Sequence, residues 1–372
     1  MKKLAIMFAL LAAAGVAQAE GVSLYGILDA GVRYDDSANS SNQAAVKMAS
    51  GVQQTSRFGV RGSENLDDNS WAKFQLESGI NVNNGTSSQQ SASGSVLFDR
   101  FAWVGVSDRK LGEVQLGRNT NVTYDFAAQG ITDPLATALE GLGTPVVTGS
   151  TAARINQAIT VVGATNSFAT TRSDNMIKYI NSLGPVTVEG GYSLGGTTND
   201  LSPKSSWNLG AKTTLSGITA AVATFQAKDA SKHQLNTYSA GVTGAVDAVT
   251  LTAGYHKLET DVGYSPANLT TVATSQTLLG GVSGTNARVY NLGAKYQLTA
   301  NVSSTLAYYN GNYKNTTANG KLDTYVLWNQ YNLSKHTNLY LELDYARAKD
   351  GMVTTGDAAN NFGTTVGMRH IF

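Results

Sequence analysis

Apolar and polar residues alternate with a period of two through most of this chain. Between Lys335 and Lys349, Leu339, Leu341, Leu343 and Tyr345 share one face, while Asn338, Tyr340, Glu342 and Asp344 share the other. A helix would scatter these carboxylates; a strand collects them. From Asn286 to Thr299 the same rule sets Tyr290, Leu292, Ala294, Tyr296 and Leu298 against Asn291, Gly293, Lys295 and Gln297. Nearer the N-terminus, Ala72, Phe74, Leu76 and Ile80 oppose Lys73, Gln75 and Glu77, and Phe58 and Val60 oppose Arg57 and Arg61.

Strand-like segments begin near residues 22, 55, 69, 96, 111, 172, 185, 204, 217, 235, 248, 286, 301, 321, 335 and 361, those near 111, 217 and 321 alternating poorly. Their connections alternate in length. Tight ones fall at Asn65 to Asp68, Asp108 to Gly112, Leu183-Gly184-Pro185, Ser216-Gly217, Val246-Asp247, Thr299 to Asn301 and Leu333 to His336. Long ones rich in Ser, Asn, Gly and Thr fall at 35–54, 82–95, 119–171, 261–285 and 350–360, with shorter members at 197–203, 230–234 and 314–320. Short turns at one end, long loops at the other and an even strand count predict an all-β, 16-stranded antiparallel transmembrane β-barrel. A soluble sandwich lacks this asymmetry. Around sixteen strands enclose a lumen too wide for side chains to fill, so it holds water.

The chain opens with Lys2 and Lys3, an apolar run from Leu4 to Val16, and Ala17-Gln18-Ala19. That is the grammar of a signal peptide over residues 1–19, leaving one domain over 20–372. No later apolar run approaches the roughly 20 residues a spanning helix needs. Composition fits strands: 5 Pro spare the ladder, and 17 Tyr suit interfacial girdles. With no Cys in an exported chain, stability rests on pairing and packing. The net charge of +1 falls to about −1 once Lys2 and Lys3 are removed, which argues against nucleic acid as a partner.

Particular residues then carry a family resemblance. The run Gly21-Val22-Ser23-Leu24-Tyr25-Gly26-Ile27-Leu28-Asp29-Ala30-Gly31-Val32 resembles the first strand of the Gram-negative general trimeric porins, in the neisserial and beta-proteobacterial branch. Ser56-Arg57-Phe58-Gly59-Val60-Arg61-Gly62-Ser63-Glu64-Asn65-Leu66, Phe74 to Gly79, Asp99 to Val106, Leu116-Gly117-Arg118 and the ending Val366 to Phe372 continue the likeness. The resemblance implies a homotrimer in the outer membrane, a long third loop folded into the lumen, and Phe372 as a signal to the barrel-assembly machinery. It implies contact with outer-membrane lipid and lipopolysaccharide. The function to expect is passive diffusion of small hydrophilic solutes and ions, weakly favouring anions; the alternative is a channel specific for a sugar or organic anion.

Within the third connection, 119–171, Asp133-Pro134 followed by Leu135 to Glu140 and Gly141 predicts a short helix with Asp133 as its cap. Asp125, Asp133 and Glu140 are its candidate pore acids. Arg57, Arg61 and Arg100 fall on the non-lipid phase of the second and fourth strands, and the resemblance implies that they face the third loop. Arg118 and Arg154 are further pore candidates, and Lys73, Glu77 and Asp29 share the inward phase. The bland reading gives the arginines headgroup contacts or structural pairs with Glu77 or Asp29, and makes Asp133 only a cap. The four histidines show no metal-ligand spacing, no serine sits in a nucleophile elbow, and no cofactor motif is visible. An enzyme is therefore not expected.

Overall fold

The computed structural model describes residues 21–38, 41–87, 96–136, 138, 171–198, 200–265, 284–316, 318–353 and 358–372. The strands are β1 (Ser23–Asp35), β2 (Ala45–Ser50), β3 (Arg57–Asn65), β4 (Ser70–Gly79), β5 (Phe101–Asp108), β6 (Gly112–Thr120), β7 (Arg172–Leu183), β8 (Val186–Ser193) and β9 (Ser206–Leu215), then β10 (Ile218–Lys228), β11 (Gln234–Val246), β12 (Val249–Thr260), β13 (Asn286–Gln297), β14 (Val302–Lys314), β15 (Asn319–Asn332), β16 (Thr337–Asp350) and β17 (Asn360–Ile371). One helix, α1 (Val122–Ala128), follows β6.

Apart from the step from β2 to β3, consecutive strands pair antiparallel, and β1 pairs with β17 from Ile27↔Ile371 to Asp35↔Gly363. At the end of that seam Gly26 N–H donates to the Phe372 carbonyl at 2.9 Å, and Phe372 N–H returns the bond at 3.0 Å. The other flank of β1 is shared: β2 pairs with Ala30 to Asp35 and β3 with Ser23 to Ile27. β2 and β3 are thus one barrel strand interrupted at 51–56, and the cylinder has sixteen positions. Closure leaves no edge, the condition for a sheet to satisfy its backbone in hydrocarbon.

Alternation decides which side chain meets lipid. On β1 the even residues face out, with Leu24 67% exposed, while Asp29 and Arg33 on the odd phase are wholly covered. Register carries the phase around the wall: Val104, Leu116, Val222, Leu292 and Val366 are all outward and exposed. On a soluble protein so much contiguous apolar surface would be a liability; around a barrel it is the lipid belt. Between β9 and β10, Ser216 and Gly217 both take positive φ, 50° and 81°, the two-residue turn whose twist matches the strands it joins.

The inside is not uniformly polar. On β10 to β15, inward Phe225, Leu235, Leu258, Val289, Leu322 and Val326 are buried under Val52, Leu135, Ala138, Tyr264 and Met352. An apolar filling therefore thickens that side, leaving the charged inner face of β3 to β7 opposite it.

Several boundaries differ from the sequence reading. The expected 35–54 loop contains β2, because Val46 and Met48 continue the lipid-facing phase. The strand expected near 96 starts at Phe101. Asp133-Pro134 opens a turn rather than a helix: Asp133 Oδ1 accepts the Leu135 N–H at 3.1 Å, and Ala136 takes φ 50°. The same Asp-Pro chemistry serves a cap or an Asx turn. The loop's helix lies earlier, at α1. Residues 1–19 and 139–170 lie outside the described residues.

Candidate pore constriction

The strand break at 51–56 is held by Asp29. Its Oδ2 accepts the N–H groups of Gln53 and Gln54, both at 2.7 Å, and its Oδ1 accepts the Tyr340 hydroxyl at 2.7 Å. The Gln53 amide donates to Gln330 at 2.6 Å and accepts from Asn338 at 2.7 Å, while Gln54 accepts from Arg369 at 2.9 Å. These partners stand on the lumen phase of β15, β16 and β17, so the segment crosses the inside of the seam. Asp29 is spent on this anchorage, not presented to the passage.

Arg57 and Arg61 share the inward phase of β3, opposite Ile27 and Ser23 of β1. Glu77 of β4 gathers the arginines. Its Oε1 accepts Arg100 Nε at 2.6 Å, its Oε2 accepts the Tyr25 hydroxyl at 2.9 Å, and Arg57 Nε lies 3.7 Å away. Arg100 and Glu77 side chains are 2% and 4% exposed and Arg57 18%, so Arg57 is the wetter charge. Arg172, absent from the sequence candidates, lays its guanidinium over Phe101 and Tyr124, 5.2 and 5.4 Å from their centroids. Its only sequence cue was an arginine opening the strand that leaves the long loop. Its charge also acts on Glu77, so three arginines bear on that carboxylate. Nearer the tight-turn end, Arg61 lies 5.1 Å over the Tyr25 ring and Lys73 pairs with Glu113 at 2.7 Å. Arg61, Lys73, Gln75 and Trp103 line a recess of about 230 Å³.

Arg100 reaches the lumen from outside a strand, and the pore candidate Arg118 faces outward. On β5 the inward residues are Phe101 and Trp103, paired with Glu77 and Gln75, while Ala102, Val104 and Val106 face lipid. Arg100 precedes the strand, which lets its side chain reach Glu77 despite its even number. Arg118 stands opposite Ala102 on the outward phase of Val114 and Leu116, where it pairs with Asp174 at 2.5 Å and donates to the Asp99 carbonyl at 2.7 Å. It does not join the lumen set. Glu140 and Arg154 lie outside the described residues.

The start of the third loop runs along the inner wall from β7 towards β14. Val122 and Phe126 of α1 are wholly buried with Ala221 and Ala223 of β10, and Asp125 pairs with Lys178 of β7 at 2.5 Å. The Thr132 carbonyl meets His256 Nε2 and Asn291 Nδ2, each at 2.9 Å, and Tyr309 donates to Asp133 at 2.6 Å. Gly210, Gly241, Gly254 and Gly293, on the inward phase of β9, β11, β12 and β13, make room: a Cβ there would strike Val122, the Ile131 carbonyl, the Thr132 carbonyl or Pro134. Asp125 and Asp133 are therefore fixed to wall partners on β7 and β14 rather than aimed at the arginines. Among the described residues no acidic, His or Cys group is arranged to hold a metal.

The barrel closes at sixteen positions, with the start of the third loop on its inner wall and arginines clustered in its lumen. A family model described as Gram-negative porin matches residues 5–351. The chain belongs to the Gram-negative porin family. Among its relatives, an outer membrane porin protein of Bordetella pertussis is 42% identical over 140 residues, which are 34% of this chain and 35% of that protein. The match thus spans about a third of the curated relative's length. Among solved porin structures, an anion-selective porin from Comamonas acidovorans aligns at a TM-score of 0.71 with 22% identity, covering 94% of this chain and 99% of that one. The trimer form of OmpT, an outer membrane protein of Vibrio cholerae, aligns at 0.62 with 14% identity, covering 94% and 99%. At those identities both speak for the barrel fold of the porin, not for its selectivity.

Proposed function

We propose that this porin is a water-filled channel through the outer membrane for passive diffusion of small hydrophilic solutes and ions, weakly favouring anions, with no catalytic chemistry of its own. The observation that carries the reading is the gathering of Arg57, Arg100 and Arg172 about Glu77 on the inner wall. Positive charge lining a water-filled passage lowers the barrier for anions and raises it for cations. Residues 1–19 act as an export signal, residues 119–171 as the constriction loop, and the functional unit is a homotrimer, in line with the trimeric relative. Assembly uses the barrel-assembly machinery, with Phe372 as its recognition signal.

A second reading, a channel specific for an organic anion or sugar, is favoured by the recess where Arg61 and Lys73 flank Trp103. Planar-bilayer recording under a salt gradient tests the first reading: the zero-current potential takes the anion-selective sign, and conductance rises linearly with salt. Potentials of cation sign would sink it. Saturating block by one solute would promote the second reading.

A further inference from the structure

Between the arginine cluster and the tight-turn mouth, the inner wall carries a recess whose chemistry is more particular than free diffusion requires. One register row crosses it: Ser23 of β1 stands opposite Arg61 of β3, Arg61 opposite Gln75 of β4, and Gln75 opposite Trp103 of β5. The inward pair Glu77 and Phe101 lies one step nearer the long loops, and Lys73 lies one step nearer the tight turns. Arg61 and Trp103 are thus two strand spacings apart, about 10 Å between backbones, with Lys73 on the strand between them. The recess holds about 230 Å³, less than the roughly 300–1,000 Å³ of sites for drug-sized ligands. It has room for one ring.

Its acceptors are spent and its donors are not. Glu113, the carboxylate beside it, pairs with Lys73 at 2.7 Å and accepts the Gln115 amide at 2.5 Å. The Tyr25 hydroxyl donates to Glu77 at 2.9 Å and accepts the Gln75 amide at 2.5 Å. Arg61 is exposed, 5.1 Å over the Tyr25 ring, and its one hydrogen bond is a long contact from Nε to Ser23 Oγ at 3.4 Å. Among the described residues Arg61 makes no ion pair and the Trp103 indole N–H no hydrogen bond. Gly117, opposite Trp103 on β6, and Gly105, the next inward residue on β5, carry no side chain that would cover the indole. Glycine inside a strand is often where a ligand comes close. A neutral sugar needs acceptors for its hydroxyls as well as donors, and an inorganic anion would use the cations but leave the indole bare. An aromatic carboxylate uses both: guanidinium takes two carboxylate oxygens at once, and a ring stacks on an indole.

We propose that this recess is a transit site for a single-ring aromatic carboxylate, its carboxylate held by Arg61 with Lys73 beside it and its ring stacked on Trp103. This rests on the second reading above and narrows it from organic anions and sugars to one class. A solute that has cleared the arginine cluster pauses here before it leaves by the tight-turn mouth.

The test uses the full-length protein in planar bilayers at about 0.1 M salt, where charges still act over about 10 Å. Sodium benzoate is the probe, cyclohexanecarboxylate and maltose are the comparators, and the readout is single-channel conductance against solute concentration. Benzoate should block saturably. Its half-blocking concentration should rise about tenfold in R61Q, which loses a charged hydrogen bond, and about fivefold in W103L, which loses the stacking surface. Cyclohexanecarboxylate, with the charge and a ring but no π face, should block several-fold less well than benzoate. K295Q removes an inward cation of β13, outside the recess, and should be blocked like the parent. Parent-like block of R61Q, equal block by the two carboxylates, or an equal loss in K295Q overturns the proposal. R61Q strands no carboxylate, so it decides alone if W103L does not assemble. Saturating block by maltose without block by benzoate would overturn the aromatic carboxylate and leave the second reading standing; block by no solute would remove both.

Discussion

Replacing Arg57 by serine isolates the electrostatic part of the constriction. Glu77 keeps Arg100 Nε at 2.6 Å when Arg57 is removed, so no buried carboxylate is stranded and the barrel should assemble. The inner wall loses one positive charge. For an ion passing about 8 Å away through water, one unit charge is worth about 0.5 kcal/mol, and screening at 0.1 M salt roughly halves it. A quarter of a kilocalorie favours an anion by about 1.5-fold and disfavours a cation equally, so the anion-to-cation permeability ratio should fall about twofold. At 1 M salt the Debye length is about 3 Å and the effect should vanish. The assay is the zero-current potential under a fixed salt gradient, repeated at both ionic strengths. R118S is the control, because Arg118 is on the outward phase, and its ratio should stay at the parental value. An unchanged ratio in R57S at 0.1 M, or an equal shift in R118S, would refute the assignment. R100S is a different perturbation: it leaves Glu77 without its nearest cation and should cost about 3–5 kcal/mol, seen as a loss of assembled barrel.

Other outcomes follow from the seams and loops. G254A/G293A pushes a methyl group at the Thr132 carbonyl and Pro134; overpacking of this kind costs about 1–3 kcal/mol, and single-channel conductance should broaden or shift while the barrel still forms. Deleting Phe372 removes two seam hydrogen bonds to Gly26 and the ring that covers Gly26; the yield of heat-modifiable, folded protein should drop, with unchanged conductance in the pores that do form. Burial alone would raise the Asp229 carboxyl in the loop after β10, yet N–H donation from Ser265, His233 and Ser231 holds it below the usual carboxylate range. Its depressed value stabilises the loop above the unfolded carboxylate value of about 3.9, and that contribution is lost as pH falls through the folded value. Pepsin should cut this loop faster at pH about 2.5 than at about 5, and D229N should be cut readily at both; equal rates for D229N and parent at the higher pH would argue against it.

The strands were legible because lipid on one side and water on the other enforce a two-residue period over most of their length. The tight turns were legible because Ser216-Gly217 and its kind carry their own conformational signature. Three things were not. The 51–56 break is recorded in side-chain bonds to residues some 280 positions away, such as Gln53 with Gln330 and Asn338, and no local pattern announces such a bond. α1 was missed because Val122, Thr123, Tyr124 and Phe126 are β-branched or aromatic, and burial against β9 and β10 overrides that propensity. The face of Arg118 was not legible because Gly117, at φ 139°, opens a register shift where the strand enters the loop. Arg100 reached Glu77 for a related reason, since parity stops being a guide one residue outside a ladder.

The four glycines under the third loop bear on how such proteins change over time and how they can be rebuilt. Gly210, Gly241, Gly254 and Gly293 record the loop's course in the wall, as a groove cut by omitted side chains. A loop borrowed from another barrel would arrive without its matching groove and ride too high; the same groove without its loop would leave bare sheet backbone facing the water. Grafting therefore has to move strand positions far downstream in the chain together with the loop. Residues between the contact points are freer to vary, so length and charge of the constriction can be retuned while its path around the wall is kept.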